Sequence, residues 1–112
     1  MKFRIEKNVI KFRLTPTEIE LLKTNNKLSD NIIITSSNRF DYMVKSNSTE
    51  NIVSVNFDQN AITANIPQSM LDHWFDTENI GLRQDILNDD GESITIIVEE
   101  DLPPRKIKKE IK

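Results

Sequence analysis

The stretch VSVNFDQNAITANIPQSMLDHWF, residues 53–75, restricts the fold more than any other part of the chain. Val53, Val55 and Phe57 alternate with Ser54, Asn56 and Asp58, and Ile62, Ala64 and Ile66 alternate with Thr63 and Asn65. A period of two marks half-buried strands. With Gln59-Asn60 as a two-residue turn, Phe57 lies opposite Ile62, Val55 opposite Ala64 and Val53 opposite Ile66. One face of the ribbon is then apolar and the other polar, so burial alone selects the register. Asn60 tolerates the positive φ that such a turn needs. Pro67 follows as the first helical residue, and Met70, Leu71, Trp74 and Phe75 recur at spacings of three and four, drawing an apolar stripe along a short helix. That stripe must lie on the hairpin. Each large side chain buried there contributes about 1.5–3 kcal/mol, which makes Trp74 and Phe75 anchors.

The chain opens in the same way. With Lys7-Asn8 as a turn, Ile5 faces Ile10 and Phe3 faces Phe12. Thr15-Pro16-Thr17-Glu18 is a capping box with proline at the first helical position, predicting a helix from Pro16 to about Asn25 with Ile19, Leu22 and Leu21 as its stripe. Further strands are expected over 31–35, 40–44, 80–86 and 93–99, with 45–51 a polar connector and Asn88-Asp89-Asp90-Gly91 a turn. At an offset of 52, Asn8 falls on Asn60, Ile10 on Ile62, Ile19 on Leu71, Leu22 on Trp74, Ile34 on Ile86 and Tyr42 on Ile94. This pattern fits two ββαββ units related by a pseudo-twofold axis, against the alternative that small α+β halves resemble one another by chance. The expectation is an α+β domain of about eight mainly antiparallel strands and two short helices. Its core is expected to comprise Phe3, Ile5, Ile10, Phe12, Leu14, Ile19, Leu22, Val53, Val55, Phe57, Ile62, Ile66, Leu71 and Trp74.

A chain of 112 residues suffices for one domain, burying ~65% of its unfolded surface without disulfide or metal. Residues 1–102 are expected to form it, with 103–112 a basic, disordered tail. Residues 1–101 hold ten cations and seventeen acids, whereas 102–112 hold five cations and one acid. An acidic body argues against nucleic acid as the main partner. With two glycines in all, Gly81 and Gly91, neither a Walker nor a dinucleotide phosphate loop is present, and no cofactor is expected. The absence of cysteine suits a reducing, cytoplasmic setting. The start, MKFRIEKNVIKFRL, alternates charge and apolarity, so neither a signal peptide nor a membrane span is expected there.

The opening MKFRIEKNVIKFRLTPTEIELL, the middle ITANIPQSMLDHW and the closing SITIIVEEDL together give the whole chain a resemblance to a small bacterial family of unknown function. That resemblance implies a stand-alone bacterial domain and supplies no site residues. The Lys/Arg-rich end is not counted as part of it.

Two side-chain groups are candidates for chemistry. Lys2, Arg4, Lys11 and Arg13 share the polar face of the first hairpin, with Arg4 opposite Lys11 and Lys2 opposite Arg13. Like charges across strands repel, so either an anion binds there or neighbouring acids such as Glu92, Glu99 or Glu100 offset them. Asp72, His73 and Asp76 lie on the polar side of the second helix and offer an imidazole with two carboxylates for acid–base work. A lone histidine completes no typical zinc site, and a surface helix has a polar side in any case. Asn88–Gly91 lacks the ligand pattern of a calcium loop and reads as a hairpin turn. Glu99-Glu100-Asp101 reads as a solvated strand end and RKIKKEIK as a solubilising terminus. The chain is therefore expected to be a small non-enzymatic binding protein, its partner a protein or small ligand, as monomer or homodimer. The rivals are a small hydrolase or isomerase built on Asp72, His73 and Asp76, and anion or nucleic-acid binding by the basic strip.

Overall fold

Alternation along the chain resolves into eight strands and two helices in the computed structural model, which describes residues 1–101. In chain order these are β1 (Lys2–Glu6), β2 (Val9–Leu14), α1 (Pro16–Asn25), β3 (Lys27–Thr35), β4 (Asn38–Asn47), β5 (Ser54–Asp58), β6 (Ala61–Pro67), α2 (Gln68–Phe75), β7 (Gly81–Leu87) and β8 (Ser93–Glu100). Segment 103–112, expected to be a tail, lies outside the described residues. No helix among the described residues is long and apolar enough to cross a membrane.

Both sequence-based hairpin registers are observed. Phe3 pairs with Phe12 and Ile5 with Ile10, while Val55 pairs with Ala64 and Phe57 with Ile62. Gln59 and Asn60 both take positive φ, 50° and 62°, the primed turn that matches strand twist. The capping box also forms: the Glu18 amide donates to Thr15 Oγ1 at 3.2 Å, and the Thr15 amide donates to Glu18 Oε1 at 2.9 Å. Asn26, left-handed at φ 63°, ends α1, and β3 begins at the next residue. Pro67 stands at the cap of α2 instead of inside it.

The strands form two four-stranded sheets, ordered β1-β2-β8-β7 and β3-β4-β6-β5. Each hairpin is antiparallel. The two hairpins of each sheet meet through a parallel central pair, β2 with β8 and β4 with β6. Thus β1-β2 of the first ββαββ unit joins β7-β8 of the second, and β3-β4 joins β5-β6. Exchanging the units turns one sheet order into the other, the signature of a pseudo-twofold arrangement. A constant offset of 52 does not survive. It holds for the first hairpins and helices, but Ile32 pairs with Phe40 as Ile86 pairs with Ile94, so the second hairpins match at 54. Two additional residues between α2 and β7 cause the change: Leu28 follows Leu22 by six positions, whereas its counterpart Leu82 follows Trp74 by eight. Ile34 and Tyr42 therefore do not correspond to Ile86 and Ile94.

The inner faces of both sheets and both helices share one core, with Phe12, Leu14, Ile66, Ile96 and Val98 fully buried, Leu22 and Leu71 almost so, and Trp74 4% exposed. Val44, Ala64, Ile96 and Val98 are core residues beyond those expected from the sequence. Two expected core residues are not buried: Ile5 is 57% and Phe57 70% exposed. Both lie next to a hairpin turn on an edge strand, where a side chain has a neighbour on one flank only. Phe3, Ile19 and Val55 pack against the core while remaining half-buried.

Candidate functional site

The basic strip lies on the outer face of β1-β2, and its neighbour β8 brings acids to one end of it. Arg13 Nε meets Glu99 Oε2 at 2.8 Å, and Lys2 Nζ meets Asp101 Oδ2 at 3.0 Å. Arg4 pairs with Glu6 at 2.9 Å. Lys11 stands beside Ile97 and makes no ion pair among the described residues. Arg4, Lys7 and Lys11 border a hollow of about 330 Å³ together with Glu6, Val9 and Ile97. Exposed pairs of this kind hold together by at most about 1 kcal/mol each.

Asp72, His73 and Asp76 are all exposed. Asp72 Oδ1 accepts from Gln68 Nε2 at 2.8 Å, and Asp76 occupies the C-terminal cap of α2. His73 borders a hollow of about 190 Å³ with Met70, Trp74 and Leu82, and neither aspartate reaches it. The three are not gathered round a common point. No group of three or more His, Asp or Glu side chains is placed to hold a metal ion among the described residues.

A different place emerges from comparing the two ends of the sandwich. Where β1 faces β4, an aromatic cluster closes the gap between the sheets. Phe3 stacks on Tyr42 with centroids 5.0 Å apart and tilts against Phe12 at 5.2 Å and Phe40 at 5.8 Å. The Tyr42 hydroxyl is pushed above its ordinary pKa by burial, reinforced by the negative charges of Asp30 and Glu18. The pseudo-twofold counterparts of Phe3, Phe12, Phe40 and Tyr42 are Val55, Ala64, Ile94 and Ile96. None carries a ring, and two of them, Val55 and Ile94, line a groove of about 670 Å³ between edge strands β5 and β7.

The groove is lined by Val55, Phe57, Ile86, Leu87 and Ile94, with Ile52 entering from the preceding loop. Three of these, Ile52, Phe57 and Leu87, are 69–72% exposed. Apolar side chains this open, gathered along one recess, form a contiguous exposed patch and not merely scattered surface residues, which makes the groove a candidate site. Its charged lining is Asp85 and Asp89, with no lysine, arginine or histidine. Asp85 Oδ1 accepts from Thr95 Oγ1 at 2.7 Å, which holds its carboxylate on the outer face of β7. The Asn88 side chain accepts from the Asp90 and Glu92 amides at 2.9 and 3.0 Å, and with Gly91 at φ 81° it shapes the turn closing this end.

Residues 1–108 match a family described as a family of unknown function, DUF7009. The chain belongs to this family. The match covers both ββαββ units and runs six residues into segment 103–112, so the DUF7009 family takes in more of that end than the sequence resemblance counted. No curated protein and no solved structure matches the chain. For this DUF7009 chain the groove is a candidate that the sequence reading missed. The signal was the replacement of four aromatics by aliphatics at corresponding positions, which the uniform offset of 52 obscured by setting Phe40 against Glu92.

Proposed function

We propose that this DUF7009 chain is a non-enzymatic binding protein and that the groove between β5 and β7 is its binding seat. The observation that carries the reading is the asymmetry between the two ends of a pseudo-symmetric sandwich: one is closed by Phe3, Phe40 and Tyr42, the other left open at Val55 and Ile94. An unfilled recess leaves its walls without dispersion partners, and leaving large apolar side chains in water forgoes the stabilisation of burial. A chain that can build the plug at one end and lacks it at the other is suited to receive an apolar group there. The lining supports binding over catalysis, because its polar groups are amides, a hydroxyl and two carboxylates, with neither histidine nor cysteine among them. The bacterial cytoplasm is the proposed setting, which a sequence without cysteine suits.

The test restores the plug. Val55→Phe places a ring where its counterpart Phe3 carries one, and Ile94→Phe does the same from the other wall. The neutral apolar dye Nile red should brighten and shift to the blue with the parent protein and should not with either variant. Both variants should melt no earlier than the parent, since the ring enters open space. Equal dye response in parent and variants would remove the groove from consideration.

A further inference from the structure

Resting on that reading of the groove, we infer that its occupant is an extended chain segment, apolar on one face and carrying lysine or arginine on the other, which adds to the first sheet as a strand beside β7.

The backbone of β7 supplies the first reason. The Glu100 amide donates to the Ile80 carbonyl at 2.8 Å, and the Asn88 amide donates to the Glu92 carbonyl at 2.9 Å. These bonds lie at the two ends of one register, in which Leu82 pairs with Val98 and Ile86 with Ile94. In an antiparallel ladder hydrogen-bonded and non-bonded pairs alternate, so the even-numbered residues of β7 bond to β8. Arg83, Asp85 and Leu87 consequently turn both N–H and C=O toward the open edge. The structure bears a mark of this: the Asp85 carbonyl takes a side-chain hydrogen bond from Gln84 Nε2 at 3.1 Å. An uncovered row of donors and acceptors is a template for another strand.

Side-chain chemistry supplies the second reason. Alternation puts Ile86 on the inner face of β7, packed with Ile94 against the core, and Asp85 on the outer face beside Thr95. A strand laid along this edge has its inner side chains over Val55, Ile86 and Ile94 and its outer side chains beside Asp85. The charged lining of the groove is Asp85 and Asp89, while Arg83, two residues along the same outer face, lies outside the groove, so a basic side chain beside Asp85 is complementary and an acidic one there is repelled. The edge of β1, by contrast, carries Lys2 and Arg4, with Lys7 in the turn beyond, and lies at the plugged end, where the hollow beside it is bordered by Arg4, Lys7 and Lys11, so it offers cations where β7 offers Asp85.

The probe is an acetylated, amidated heptapeptide of alternating valine and lysine, titrated into the isotope-labelled full chain and followed by amide chemical shifts. The amides of Arg83, Asp85 and Leu87 are expected to move. A peptide with glutamate for lysine should leave them in place. Methylating one alternating set of peptide amides should abolish binding, while methylating the other set should not, because a strand bonds to its neighbour through alternate residues. Asp85→Asn should weaken binding about tenfold, the scale of one charge-assisted contact, and Val55→Phe, shown to be folded by its melting curve, should remove it. Equal binding of the glutamate peptide, indifference to both methylation patterns, or shifts confined to β1 or β3 would overturn the assignment. If no peptide binds but Nile red still distinguishes parent from Val55→Phe, the strand partner is lost and the groove stands. If the dye also fails, the groove reading falls as well.

Discussion

Glu18 serves two structures with one carboxylate. It closes the capping box with Thr15 and pairs with the ammonium of Met1, tying the start of β1 to the start of α1. Partial burial works against its ionisation, yet the hydrogen bond from the ammonium, those from Thr15 and the ammonium's charge outweigh it and hold the carboxyl below its ordinary value of 4.5. A carboxyl with a lower pKa folded than unfolded binds fewer protons in the folded state, so it stabilises the fold above about pH 4.5 and ceases to as pH falls through the lower folded value. Urea midpoints measured from pH 7 to pH 3 should therefore fall more steeply below pH 4.5 in the parent than in Glu18→Gln, with the variant the weaker at neutral pH. Parallel curves would contradict this. Thr15-Pro16-Thr17-Glu18 was readable as a cap because its partners are three residues apart. The ammonium seventeen positions away leaves no local mark, which is why the second role of Glu18 appears only in three dimensions.

At the scale of elements, alternation tells which face of a strand points inward but not how much of it is covered. Phe57 and Trp74 illustrate the difference. Both are large aromatics placed on apolar stripes by their spacing, yet Trp74 is 4% exposed beneath the sheets and beside Phe75, whereas Phe57 is 70% exposed near the β5-β6 turn. Trp74→Ala should cost about 3–5 kcal/mol, the range for emptying a packed aromatic site. Phe57→Ala should change stability by about 0.5 kcal/mol or less, as at an ordinary surface position. Denaturant unfolding of the two variants separates burial from hydrophobicity, and similar losses would mean that the edge of β5 is more covered than the structure shows. The same limit explains β3. Its outer half, Ile32 to Ile34, was legible as a strand, but Lys27 to Asp30 holds a single apolar residue, Leu28, which packs against the core, among three polar ones. An edge strand needs little apolar pattern, and the sequence carries little there.

On the scale of the molecule, the exchange of hairpins decides how it can come apart. Neither sheet belongs to one half of the chain: β2 depends on β8 and β4 on β6, and both parallel pairs join residues of different units. A single unit cut free would leave β2 and β4 each without a central neighbour and would open the core through Phe12, Leu14 and Val44. Burial that is incomplete on this scale does not offset the entropy of ordering about fifty residues. A fragment of residues 1–50 should therefore be unfolded as a monomer. It can fold by pairing with 51–112, or with a second copy of itself, since the pseudo-twofold then becomes a true one with an aromatic plug at each end. Circular dichroism of each fragment, of their mixture, and of 1–50 across a concentration series, with light scattering for mass, tests this. Helix and strand signal should appear only with a doubled or combined mass and should rise with concentration. A folded, concentration-independent monomer of either fragment would show that the units are self-sufficient, and the open end of the sandwich would then have to be explained without the symmetry that exposes it.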